Sequence, residues 1–365
     1  MSVRPNESPS GPLHHETRRR PGRRAHGASN GCAAAGEGIA LRALITGASG
    51  FAGSWLCRAC AAAGDEVVAV SRRATVPDGC GVAVAVDLRD PQAVRDAVHS
   101  ARPDVVYHLA ALTSVGRSWE EPARTLRENA QTSVNLLEAL RSLGGDVRVV
   151  WVSSCEVYGE PAVLPAPEDA ALQPANPYAV SKLSAELLAQ VYADAHGLQI
   201  VRVRPFSHSG PGQRPIFLLS NLAQQAAAGR RAGAARLRIV TGNPDTRRDF
   251  TDVRDVVRAY RMLGTRVRRG SADRDGATPG LVYNVSSGVS VSAREQVALL
   301  AELIAPIEVE LVVDPQRVRA HEVMDLRGDP SSLTAATGWQ ARIPLRQTML
   351  DTISWWEQQP ARAPG

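Results

Sequence analysis

An apolar run from Leu41 to Thr46 passes directly into Gly47-Ala48-Ser49-Gly50-Phe51-Ala52-Gly53, and then into a helical pattern that lasts to Ala63. Few local patterns restrict a fold as tightly as strand, glycine-rich turn and helix in succession. The first two glycines permit a tight turn and let the backbone approach a pyrophosphate, while Gly53 lets the helix lie close on the strand. The free N–H groups of the helix N-terminus then point at phosphate. The spacing is G-x-x-G-x-x-G rather than G-x-G-x-x-G, so the glycines alone are compatible with a structural turn. The flanking strand and helix favour a dinucleotide.

The pattern repeats along the chain. Strands are expected at Glu66 to Val70, Val82 to Val86, Val105 to Leu109 and Val147 to Val152, separated by helices at Pro91 to Ser100 and Ala123 to Leu143. Strands alternating with helices imply an α/β fold, a Rossmann-type doubly wound parallel sheet. The second strand ends in Ser71-Arg72-Arg73. An acid here would suit the ribose hydroxyl of NAD, whereas a guanidinium suits the 2′-phosphate of NADP. Arg72, with Arg73 beside it, therefore favours NADP(H), with NAD(H) as the alternative; the competing reading is two arginines that merely solvate a loop. Asp87 and Leu88 are expected to reach the adenine, and Leu109, Ala110 and Ala111 to leave room for the cofactor. After about Phe206, helices at Phe217 to Ala228 and Val253 to Leu263 alternate with short strands, and Ser292-Ala293-Arg294-Glu295 is a capping-box signature. Three regions are expected: a disordered basic tail (1–40), a dinucleotide-binding domain (41–205), and a smaller substrate-binding lobe (206–365) with segments that return to the first domain.

Charge is informative mainly by its placement. The net charge is +5, and the first forty residues hold six arginines against three glutamates, so the body is close to neutral. A nucleic-acid surface is not indicated. There is no apolar run long enough for a signal peptide or a membrane span, and the cytoplasm is the expected compartment. The five cysteines lack metal-ligand spacing; Cys57 and Cys60 fall inside a helix as small buried residues, and no metal is expected.

Of the 42 basic residues, one is a lysine: Lys182, in Tyr178-Ala179-Val180-Ser181-Lys182. An isolated Tyr-x-x-x-Lys is as compatible with a surface helix as with chemistry. Here the strand ending at Val152 runs into Ser153-Ser154-Cys155-Glu156, at the sheet edge where ligands bind in open parallel sheets. Tyr178 and Lys182, four apart, share one helix face. An ammonium near the phenol is expected to lower its pKa toward the working range, and the Ser154 hydroxyl to hold a carbonyl oxygen. This is the equipment for hydride transfer with Tyr178 moving the proton.

The glycine turn, Asp87-Leu88, His108-Leu109-Ala110-Ala111, the serine loop and Tyr178/Lys182 together resemble the extended short-chain dehydrogenase/reductase family, over about Leu41 to Trp356. The segments Arg204 to Gln213, Arg248 to Asp255, Val282 to Val285 and Arg319-Ala320-His321-Glu322 are similar to those of GDP-4-keto-6-deoxy-D-mannose reductases. The resemblance implies NADPH-dependent reduction of the 4-keto group of a GDP-linked deoxyhexose, giving GDP-D-rhamnose. It also implies Arg248 and Arg319 on the diphosphate, Glu322 on the GDP ribose, His208 near the nicotinamide, and a homodimer or tetramer. Ser207 stands where those reductases usually carry Asn, and no role is carried onto it. Glu156, two residues after Ser154, is where the related 4,6-dehydratases place a base. A dehydratase or epimerase therefore stays open as the alternative, and a non-catalytic NADP sensor as a remoter one.

Overall fold

The central strands are apolar because their Val, Ile and Ala side chains are covered on both sheet faces. The computed structural model describes residues 40–266, 282–318 and 322–360. The basic tail up to residue 39, residues 267–281 and Arg319 lie outside them. In chain order the elements are β1 (Arg42–Thr46), α1 (Phe51–Ala62), β2 (Glu66–Ser71), β3 (Val82–Ala85), α2 (Pro91–Ala101), β4 (Val105–His108), α3 (Val115–Glu120), α4 (Pro122–Leu143) and β5 (Arg148–Val152). There follow α5 (Pro177–His196), β6 (Gln199–Pro205), β7 (Ser207–Ser209), α6 (Leu218–Arg231), β8 (Arg236–Thr241), β9 (Arg247–Asp252) and α7 (Val253–Arg266). The last are β10 (Val282–Val285), β11 (Ser290–Ser292), α8 (Ala293–Ile304), β12 (Glu308–Val313), β13 (Asp325–Leu326), α9 (Ser331–Thr337) and α10 (Leu345–Gln358).

The main sheet has seven strands in the order β3-β2-β1-β4-β5-β6-β10, and every pairing in it is parallel. Such a sheet needs helices on both faces. On one face, Leu56, Cys57 and Cys60 of α1 pack with Val256, Tyr260 and Leu263 of α7. On the other, Val94 and Val98 of α2, Leu136 and Leu140 of α4, and Ala185 and Ala189 of α5 make the second core. The expected doubly wound sheet is observed. Its last strand, β10, comes from late in the chain and pairs with β6.

A separate core forms where α6, α8 and α10 meet β8 and β12, around Leu222, Ile239, Leu300, Met349 and Trp356. The α8 capping box is complete: Ser292 Oγ accepts from the Glu295 N–H at 3.1 Å, and the Ser292 N–H donates to Glu295 Oε2 at 2.7 Å. Trp356 is buried, and its indole N–H donates to Ser220 Oγ, so it is a packing residue. Cys57 and Cys60 are buried free thiols. Two short helices, α3 and α9, were not legible from periodicity. With six and seven residues they are barely two turns, too short to build an apolar stripe. Among the described residues no helix is long and apolar enough to cross a membrane, and no group of three or more His, Cys, Asp or Glu is arranged to hold a metal.

Candidate active site

A cavity of about 570 Å³ runs along the carboxyl edge of the main sheet, from the glycine turn to the Ser154 loop. Its floor is shaped by atoms that are missing. Gly47 has φ +72°, and a Cβ there would come within 2.9 Å of the Ala110 backbone N. A Cβ on Gly53 would lie 2.2 Å from the Gly47 carbonyl oxygen. Backbone can therefore pass close to backbone only because both positions are glycine. Thr46 Oγ1 accepts from the Ala110 N–H at 3.4 Å and bonds His108 Nδ1 at 2.9 Å, which ties the end of β1 to the end of β4. Burial, with the Lys182 charge second, lowers His108 to about 3, so this imidazole is neutral.

Arg72, Asp87 and Leu88, after β2 and β3, line one end of the cavity, and Gly47, Gly50, Phe51, Ala52 and Gly53, after β1, come next along the sheet edge. Leu109, Ala110 and Ala111 line the middle. Hydrogen bonds from Arg89 lower Asp87 to about 2, and the bonding arginine also lines the cavity. Two guanidinium groups, Arg72 and Arg89, thus stand at the Asp87 end. Arg73 is exposed and is not part of the lining. An extended channel with a glycine floor, a helix N-terminus and two arginines at one end fits a dinucleotide carrying an extra phosphate.

At the other end, Ser154, Glu156, Tyr178 and Lys182 all face the cavity. Asn176 caps α5 by accepting from the Ala179 N–H at 2.8 Å, and Pro177 is the first helical residue, so the helix starts one residue before Tyr178. Ser154 caps a single 3₁₀ turn, Cys155–Tyr158, by accepting from the Glu156 N–H at 3.2 Å. Ser154 and Tyr178 both line this end of the cavity, where the hydroxyl favours the phenolate. Lys182 Nζ donates to the Val152 carbonyl at the end of β5. Glu156 Oε2 accepts from Asn176 Nδ2 at 2.9 Å.

The electrostatics differ from the expectation that the ammonium lowers the phenol. Burial is the largest influence, and it raises Tyr178 above its ordinary value, with Ser154 pulling the other way. Burial lowers Lys182 to about 8, partly offset by the Glu186 carboxylate. Both shifts have one cause: a charged phenolate and a charged amine each lose hydration here. At neutral pH the phenol is protonated and the amine is mostly charged.

His208 faces the cavity, stacks on Phe51 with ring centroids 6.0 Å apart, and shares a 3.0 Å hydrogen bond between Nδ1 and the Phe206 carbonyl. The carbonyl can only accept, so Nδ1 carries the proton. Arg248 and Glu322 do not line the cavity. The Arg248 guanidinium donates to the Arg247 and Val323 carbonyls, beside the buried Cys155. Sequence reasoning missed Arg89, Asn129, Gln213, Phe250 and Tyr260 of the lining. Asn129 had a signal, since it is one of four buried polar residues, with Thr125, Ser133 and Asn135, on a helix whose buried positions should be apolar. Tyr260 had none, because a buried tyrosine on an amphipathic helix looks like core.

Comparison with known proteins narrows the chemistry. The family model described as GDP-mannose 4,6 dehydratase matches residues 44–352. The chain belongs to this family. It is 38% identical to the GDP-6-deoxy-D-mannose reductase of Pseudomonas aeruginosa over 320 residues, covering 87% of this chain and 97% of the relative. It is also 30% identical to a UDP-glucose 4-epimerase of Mycolicibacterium smegmatis, covering 86% and 98%. Among solved structures, RMD from Pseudomonas aeruginosa complexed with NADPH superposes with a TM-score of 0.72 at 36% identity, covering 86% of this chain and 98% of that one. The relatives in this family include reductases, dehydratases and epimerases of nucleotide sugars, and this chain is an enzyme of that kind.

Proposed function

We propose that the protein reduces the 4-keto group of GDP-4-keto-6-deoxy-D-mannose to give GDP-D-rhamnose, with NADPH as the reductant. The observation that carries this is one continuous cavity joining the glycine cradle and Arg72 to the Ser154–Tyr178 pair. Bound NADPH supplies the hydride. Gly47, Gly50, Phe51, Ala52 and Gly53 hold its pyrophosphate, Arg72 its 2′-phosphate, and Asp87 and Leu88 its adenine. Leu109, Ala110, Ala111 and His208 shape the nicotinamide end.

The chain's own groups manage the oxygen. Ser154 donates to the carbonyl and holds it in place. Tyr178, kept protonated by burial, hands its proton to the oxygen as negative charge develops there. Lys182, tied to the Val152 carbonyl at the end of β5, keeps a positive charge in the same cavity. Residues 206–365 supply most of the sugar-nucleotide side, with Arg248 and Arg319 for the diphosphate and Glu322 for the ribose. We place the protein in the cytoplasm as a homodimer joined through α4 and α5; half-exposed Leu187 and Val191 on α5 support such a face.

Two incubations test the reading. With the keto sugar, NADPH should be consumed and product NMR should show GDP-D-rhamnose. With GDP-mannose alone and no added NADPH, nothing should happen; accumulation of a 4-keto sugar would instead make the protein a dehydratase with Glu156 as its base.

A further inference from the structure

The turn that carries Ser154 and the helix that carries Tyr178 are joined by one side chain that no sequence motif singled out. Asn176 is buried, and its carboxamide can be oriented in only one way. Oδ1 must be the acceptor for the Ala179 N–H, so the NH₂ group faces the Glu156 carboxylate, 2.9 Å away. Glu156 is in turn fixed from its own backbone, whose N–H donates to Ser154 Oγ. The carboxylate thus has one oxygen held by Asn176 while the residue lines the cavity beside Ser154 and Tyr178.

We infer that Asn176 is a positioning residue, which clamps Glu156 as a hydrogen-bond acceptor for a sugar hydroxyl next to the carbon that is reduced. This rests on the cavity being the nucleotide-sugar site proposed above. It assigns Glu156 to substrate orientation: a carboxylate that already accepts from a fixed amide is well placed to accept a second hydrogen bond from a hydroxyl. The other ionisable groups around it are Cys155 on the same turn and Tyr178 on α5, with Arg248 and Asp249 of β9 lying beyond Cys155.

The test separates the clamp from the helix cap. Asn176→Ser and Asn176→Asp both retain an oxygen suited to the N-cap position, so α5 should still form. Ser loses the donor to Glu156; Asp replaces it with a second carboxylate. For Asn176→Ser we expect NADPH affinity within about twofold of wild type, and KM for the keto sugar raised about tenfold. For Asn176→Asp, kcat/KM should fall progressively from pH 5.5 to 8.5 relative to wild type. A proton shared by the two carboxylates keeps the geometry at low pH, and its loss drives them apart. Adding Glu156→Gln to Asn176→Asp reverses donor and acceptor and should flatten that profile.

Binding gives a readout independent of turnover. Asn176→Ser should weaken GDP-mannose about tenfold while leaving GDP unchanged, since GDP has no hexose hydroxyl. Unaltered KM, pH profile and GDP-mannose affinity in both variants would overturn the clamp, as would equal losses for GDP and GDP-mannose. A wild-type protein that ignores the keto sugar but prefers GDP-mannose to GDP would refute the proposed reduction and leave the variants to decide the clamp. A wild type that binds the two equally refutes the clamp.

Discussion

At the glycine turn the cavity is bounded by backbone from neighbouring residues, Gly47 to Gly53, whose geometry follows from absent side chains. At β9, whose Phe250 lines the cavity, the chain segments around Ser287 and Gly328 are tied to a single buried carboxylate. Asp249 accepts from the Ser287 N–H at 2.8 Å, the Ser287 hydroxyl at 2.6 Å, the Gly288 N–H at 2.9 Å and the Gly328 N–H at 3.4 Å. Those partners are 38, 39 and 79 residues away in sequence. One region is specified by a local sterically defined turn, and the other by long-range hydrogen bonds to one acid. The first tolerates almost no added atom. The second tolerates no lost acceptor.

The largest effect is expected at Ser154, Tyr178 and Lys182, which share the cavity with the glycine turn. Tyr178→Phe should cut kcat by at least about 10³-fold while NADPH affinity, measured by fluorescence titration, changes less than about twofold. A variant that loses both would mean that the cofactor and proton-transfer ends are not separable. Asp249→Ala strands several donors and should cost about 3 kcal/mol of unfolding free energy. If the comparison is right, NADPH affinity of the folded fraction survives; a parallel loss of cofactor binding would break it.

Lys182→Met tests the Ser154, Tyr178 and Lys182 cluster through pH. The folded-state pKa of Lys182, about 8, lies below its ordinary 10.5, so the folded protein binds fewer protons than the unfolded chain between those values. Stability from this group therefore rises with pH across that window, and the cost of the buried ammonium is fully present below about pH 8. Replacing it with Met should eliminate activity yet raise stability at pH 7 by about 2 kcal/mol, with the gain shrinking toward pH 10. Urea titrations at pH 7 and 10 would show it. A variant less stable at both values would mean the ammonium is well solvated by its carbonyl partner.

Gly53→Ala pushes a methyl against the Gly47 carbonyl and should cost about 2 kcal/mol with a clear loss of NADPH affinity. Thermal melts with and without cofactor would measure both. The smallest effect is at the rim. Arg72→Ala should weaken NADPH about tenfold and leave NADH unaltered, in steady-state assays with either reductant. Equal loss for both would remove Arg72 from 2′-phosphate recognition, and retained discrimination would transfer that role to Arg89.

Periodicity and turn chemistry made β1 to β5 and the helices α1, α2, α4 and α5 legible, because these segments are apolar or amphipathic and punctuated by glycine or proline; the pairing of β6 with β10 was not, since the two are far apart in sequence. The glycine floor and the Tyr178/Lys182 spacing were legible for the same reason: neighbours in sequence are neighbours in space. Arg89, Gln213, Phe250 and Tyr260 were not, since nothing local distinguishes a cavity-lining residue from a surface or core one. Arg248 is assigned by resemblance alone: nothing local in the sequence shows that its Nη1 bonds the Arg247 and Val323 carbonyls, outside the cavity lining.

By itself the sequence determined the strand–turn–helix cradle, the sharing of one helix face by the phenol and the amine, and the alternation that closes a parallel sheet. These are short-range consequences of sterics and helical geometry. Only the tertiary structure decided the protonation of Tyr178 and Lys182, because desolvation depends on everything packed around a group. It also decided that Asn176 faces Glu156 across twenty residues. A hydrogen bond between two loops exists only once the sheet has brought their ends together.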